Sequence, residues 1–278
     1  MANQLRRATG RLLLGGMIAA QLLLAAPVVA AREPGGSAAG TAAAAAGTAA
    51  AAAAKRAGFS IDLARAGDFV AQKTFVQCVG ASMQMMLNIA GSNDDRSAST
   101  QRRLQVLARE LSGPTNEGFE RQGASVRGWM TGLNTLAAGP YRLVGTDTLD
   151  TALRLAAKAI RETGKPVGLL VWRGRHAWVM SGFRATADPR TTDDFDVTAA
   201  VVLDPLYPYG SAKWGPSPRP REALTPRELG RQFVPRRQGS IPNGFGAPAW
   251  TIRELAGKYV LVLPYLATPS PQFLPRTI

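Results

Sequence analysis

At Gly164-Lys165-Pro166 the hydrophobic pattern changes period, and this limits the folds open to the chain. Ahead of the break, apolar residues recur at helical spacing; behind it, they come in short runs of strand length. Leu149 to Thr163 places Leu149, Ala152, Leu153, Ala156, Ala159 and Ile160 along one side of a helix. Proline then stops the helix, because it has no N–H to give and its ring clashes with the preceding turn. Val167 to Trp172 is a continuous apolar run, which predicts a buried strand, and Arg173-Gly174-Arg175 is a tight turn. His176 opens a second strand to Phe183, and Val197 to Leu203 forms a third that ends at Asp204-Pro205. Consecutive strands on short connections pair antiparallel, so His176 and Asp204 are expected on neighbouring strands. Upstream, Gln101 to Leu111 predicts a helix with Leu104, Leu107, Ala108 and Leu111 inward, and Ser125 to Leu136 another. Thr225-x-x-Glu228 is a capping box opening a short helix to Phe233, and Tyr259 to Leu263 is a closing strand. The expectation is an α+β fold, a helical lobe packed on an antiparallel β-sheet.

The helical half holds the chain's single cysteine, Cys78, at the head of the stretch Gln72 to Asn88. Val79, Met83, Met86, Leu87 and Ala90 follow on one helical face, and Gly91-Ser92-Asn93 supplies stop chemistry. A cysteine at a helix N-terminus sits among unpaired N–H groups at the positive end of the macrodipole, which favours the thiolate. Gln72, on the loop before it, is an amide donor that can complete an oxyanion hole with the Cys78 backbone N–H. An isolated cysteine is more often a buried core thiol. The single histidine, His176, and the strand-end Asp204 change that balance, because they add a base and its orienting group to a nucleophile.

Three motifs together resemble a known family. They are Gln72-x(5)-Cys78 at a helix head, Gly174-x-His176-Ala177-x-Val179-x-x-Gly182-Phe183, and Val202-x-Asp204-Pro205. They are similar to the bacterial papain-like cysteine peptidases, closest to the bacteriocin-leader (double-glycine) processing peptidase-like group, over about Phe69 to Leu206. Many members carry Cys-Gly or Cys-Trp at the nucleophile, where this chain has Cys78-Val79. The resemblance implies a papain-like fold and peptide-bond hydrolysis by a Cys78/His176/Asp204 triad with Gln72 as oxyanion donor. Two other readings fit the same residues. One is a transglutaminase-like acyl transferase; the other is a catalytically silent exported binding module of the same fold.

Residues 1–31 read as an export signal, with Arg6, Arg7 and Arg11 before the apolar Leu12 to Ala25 and small residues at Val28-Val29-Ala30. Their length also fits an uncleaved membrane anchor. Residues 32–56 are an Ala/Gly/Thr-rich linker without large side chains to bury, and residues 57–278 are expected to hold the folded domain. The expected location is secreted or attached to the cell envelope. One cysteine excludes a disulfide framework, and one cysteine with one histidine excludes the usual zinc ligand sets. No cofactor is expected. Asp188, Asp193, Asp194 and Asp196 lack the spacing of a calcium loop and read as a solvated turn; Met83, Met85 and Met86 read as core filler. The net charge of +14 suits an anionic neighbour. Seven Lys or Arg and two acids fall in 206–238, read as a solvated loop with anionic cell-surface contact as the alternative. The expected partner is a peptide or protein substrate. Specific nucleic-acid binding is not expected, because no nucleic-acid module or phosphate-cradling glycine loop is present.

Overall fold

The computed structural model describes residues 58–112, 123–237 and 254–267. The expected export segment (1–31) and linker (32–56) lie outside the described residues. So do most of the loop expected at 112–123 and part of a further element expected at 250–255. No helix among the described residues is long and apolar enough to cross a membrane.

The fold is α+β. Helix α1 (Cys78–Gly91) follows the expected stretch and closes on Ser92 in the left-handed conformation, whose N–H reaches the Asn88 carbonyl. The expected one-sided apolar face is corrected. Ala90 is exposed and Leu87 half-buried, whereas Gly80, Ala81, Ser82, Gln84, Met85 and Asn88 on other faces are buried. The helix is enclosed on several sides and not laid on a surface, so a single stripe could not describe it. Helix α2 (Ala98–Glu110) buries Gln101, Leu104, Gln105 and Ala108, while Leu107 and Leu111, both expected inward, are half-buried. Helix α3 (Val126–Thr135) starts at a Ser125 cap, and α4 (Leu149–Thr163) at a Thr148 cap. Gly80 lets α1 and α2 cross closely: a Cβ there would lie 2.7 Å from the Gln101 carbonyl oxygen.

The main sheet contains β1 (Phe59–Asp62), β2 (Tyr141–Thr146), β3 (Val167–Val171), β4 (His176–Ala185), β5 (Val197–Leu203), β8 (Glu222–Leu224) and β9 (Tyr259–Pro264). Its order is β2-β9-β3-β4-β5-β8, and every pairing is antiparallel. Strand β4 pairs with β3 along its first half and with β1 along its second, Val171 opposite His176 and Phe59 opposite Ala185. The closing strand β9 does not sit at an edge. It inserts between β2 and β3, where its buried run Val260 to Leu263 is covered on both faces. Helix α4 packs with Trp178, Met180 and Leu261 in one core, and α1 to α3 pack with Ala177, Val179 and Val262 in another. The central strands thus separate two hydrophobic layers.

The basic segment is built into this frame. Strands β6 (Gly210–Ser211) and β7 (Gly215–Pro216) form a hairpin, β8 joins the main sheet, and Leu229 and Phe233 are fully buried. The expected helix to Phe233 ends at Leu229 (α5, Pro226–Leu229), because the chain turns after Gly230 and the Gln232 carbonyl accepts from the Trp172 N–H. The aspartate-rich turn is likewise anchored to α4: Asp188 takes a two-pronged ion pair from Arg161, and Asp193 pairs with Lys158.

Candidate active site

Cys78 is the first residue of α1 and is half-buried. Its N–H belongs to the first turn, whose donors have no partner within the helix. The loop before it is held by buried amide side chains from α2. Gln101 accepts the Lys73 N–H (2.8 Å) and donates to the Ala71 carbonyl (3.1 Å). Gln105 accepts the Gly80 N–H (2.9 Å) and donates to the Val76 carbonyl (3.0 Å). One turn into α1, Ser82 donates to the Ala177 carbonyl at 3.1 Å, tying the cysteine helix to the residue after His176.

His176 opens β4, and Asp204 directly follows β5, so adjacent strands bring them together. His176 Nε2 lies 2.7 Å from Asp204 Oδ1, with both side chains buried. Oδ1 also accepts the Leu206 N–H at 2.8 Å, while Oδ2 is buried with no partner among the described residues. Burial opposes the charged imidazolium. The hydrogen bond to Asp204, a hydrogen bond to Cys78 and the two negative charges outweigh it and raise His176 to about 9. With Nε2 engaged by Asp204, Nδ1 is the ring nitrogen left for the sulfur.

Gln72 lies half-buried on the loop before Cys78, stitched to the aspartate corner by its own N–H, 2.7 Å from the Pro205 carbonyl. Its side-chain nitrogen donates to the Thr74 carbonyl at 2.8 Å, and its side-chain oxygen is buried with no partner among the described residues. One of the two amide N–H bonds is therefore turned into the loop. The structure brings together Cys78, His176 and Asp204 and sets Gln72 beside their corner.

The indole of Trp172 stacks on the His176 ring, with centroids 4.2 Å apart and planes 26° apart. The strand expected to reach Trp172 ends at Val171. Trp172 and Arg173 then take the left-handed conformation at φ 56° and 58°. That conformation costs about 1–2 kcal/mol per residue for an L-amino acid. Gln232 holds the turn there: its carbonyl takes the Trp172 N–H at 2.9 Å and its Oε1 takes the indole N–H at 2.8 Å. The roles of Ser82, Gln101, Gln105 and Trp172 were not foreseen. Gln101, Leu104, Gln105 and Ala108 do follow helical spacing, and only their polarity hid the two glutamines from a reading based on apolar residues.

Compared with known families and characterised proteins, the chain matches no family model and no curated sequence.

Proposed function

We propose that the chain is an exported cysteine peptidase of papain-like architecture. The observation that carries this reading is the junction of Cys78, His176 and Asp204, with His176 hydrogen-bonded to the aspartate and the sulfur near enough to help raise the imidazole. The imidazolium beside the sulfur, the helix N-terminus and the buried carboxylate that holds the ring are what thiol acyl transfer requires. The order of the chain, a cysteine helix first and an antiparallel sheet after it, adds support.

The sulfur attacks a peptide carbonyl carbon, forming a C–S bond and an oxyanion. The Cys78 N–H and the amide N–H of Gln72 not taken by the Thr74 carbonyl would donate to that oxygen. As the C–N bond breaks, His176 gives its proton to the leaving amine. Water then attacks the thioester, His176 takes its proton, and the acid leaves with the thiol restored. Asp204 keeps the ring oriented throughout, its Oδ1 fixed by the Leu206 N–H.

Alkylation of the folded chain tests the reading. Iodoacetamide should modify Cys78 in the folded chain, and His176→Ala should slow that reaction. Reaction only after denaturation overturns the peptidase and leaves a binding module. An added amine separates the acyl-transfer alternatives: a peptidase passes the acyl group to water, a transglutaminase-like enzyme to the amine. For export, N-terminal sequencing of the mature protein should begin near Ala31, and an intact Met1 in the membrane fraction would indicate an anchor.

A further inference from the structure

Beside His176 lies a pocket of about 310 Å³, lined by Trp172, Arg173, Arg175, Lys213, Trp214 and Arg237. It gathers four cations and two indoles with no carboxylate in its wall. Three segments meet there: the β3–β4 turn, the β6–β7 hairpin and the irregular stretch 234–237. Buried Gln232 joins two of them, accepting from the Trp172 indole and donating to the Pro216 carbonyl at 3.1 Å. The Arg237 N–H reaches the Arg173 carbonyl at 3.2 Å and brings in the third. The aromatic wall is thereby held in place ahead of any ligand.

Some cations elsewhere on the surface are held by carboxylates, whereas others, such as Arg102 and Arg184, are in no ion pair among the described residues. Arg161 holds Asp188, Arg221 holds Asp62, and Lys258 holds Asp147. In the pocket, Arg173, Arg175, Lys213 and Arg237 make no ion pair among the described residues, although Lys213 lies 5.5 Å from the Trp214 ring centre. Four like charges around one concavity repel each other, and an anion relieves that repulsion. Guanidinium groups give a carboxylate paired donors, and the indoles cover the apolar stem that carries it. Trp172 is shared, with one side of the pocket wall formed by the same ring that stacks on His176.

We propose that this pocket binds an acidic side chain of the substrate, so that the enzyme acts on peptides carrying Asp or Glu next to the scissile bond. The proposal rests on the peptidase reading for its substrate, while its binding step can be measured without turnover. The volume suits one or two side chains, whereas an extended polyanion would require a charged track along the surface.

Two measurements on the full chain decide it. The first is the rate at which a matched pair of peptide chloromethyl ketones, differing only as Glu against Gln, alkylates Cys78. The second is calorimetric binding of the same two peptides without the electrophile. The Glu peptide should be preferred by about tenfold in both, the scale of one charged hydrogen bond. In the double variant Lys213→Gln/Arg237→Gln, the Glu-to-Gln ratio should fall toward one. Raising salt from about 0.1 M to about 1 M shortens the screening length from about 10 Å to about 3 Å and should narrow the preference. Equal binding of both peptides, or a preference that survives in the double variant, overturns the proposal even if Cys78 is reactive. If neither ketone alkylates Cys78, the peptidase reading fails, and the calorimetric ratio still decides the pocket. Tighter binding of a single-stranded oligonucleotide or of anionic vesicles, lost in the same double variant, would overturn it in favour of a polyanion surface.

Discussion

The two sides of the candidate site are held by different forces. On the cysteine side, neutral amides do the positioning: Gln101 and Gln105 clamp the loop from Ala71 to Val76, and Gln84 and Asn88 hold the Asp95 carbonyl behind α1. On the histidine side, a buried charged pair and a stacked indole hold one ring. Amide hydrogen bonds do not titrate, so the placement of Cys78 is independent of pH, whereas that of His176 depends on it. The folded-state value of His176, about 9, lies above the ordinary imidazole value near 6.5. The pairing therefore stabilises the fold fully below about pH 6.5, and this contribution is lost as pH rises through about 9. The geometry of the nucleophile and the charge of its acid are thus set by separate parts of the molecule.

Breaking the charged side should have the largest effect. His176→Ala removes the proton donor and leaves Asp204 buried and unpaired. Turnover should fall by about 100- to 10,000-fold. Denaturant melts should show a loss of about 3–5 kcal/mol, the usual cost of stranding a buried charge. Iodoacetamide should also modify Cys78 more slowly near neutral pH.

Gln72→Ala is the sharper probe of the neutral side. An oxyanion donor acts on the transition state, so turnover should drop by about 100- to 1,000-fold while the pH profile of alkylation stays largely intact. A profile that moves with turnover would show that Gln72 acts on the resting cysteine and not on the oxyanion.

Asp204→Ala misorients the base without deleting it, at a cost of about 100-fold in turnover, less than His176→Ala. It also removes a hydrogen bond and a negative charge that raise His176, so the alkaline limb of the pH–rate curve should move to lower pH. An unchanged limb would assign the raised value to another group.

The smallest expected effect is that of Gln105→Ala, about 1–3 kcal/mol of stability from the unpaired Gly80 N–H and Val76 carbonyl. Because no charge changes, that loss should be the same at pH 6 and at pH 8. A pH-dependent loss would contradict the contrast between the two sides.

Much of this was legible in the chain alone. Helices α1 to α4 and strands β3, β4, β5 and β9 follow local periodicity, cap residues and breakers, which act over a few neighbouring residues. Cys78 at a helix head, His176 at a strand start and Asp204 before a proline were visible for the same reason. Strands β1, β2 and β8 were not. Glu222–Leu224 is three residues long, and Tyr141–Thr146 carries an arginine and a glycine, so these strands exist through edge pairing and not through their own pattern.

Tertiary structure alone decided the rest. The insertion of β9 between β2 and β3 depends on which partners are left once both sheet faces are covered. The inward glutamines of α2 read as surface residues until the Cys78 loop arrives to take their hydrogen bonds. The pocket is assembled from residues 172–175, 213–214 and 237, which no short-range pattern relates. Sequence spacing reports the period of one element, because backbone geometry repeats locally. Which elements meet is set by the burial of whole surfaces against each other, and that is a property of the folded chain.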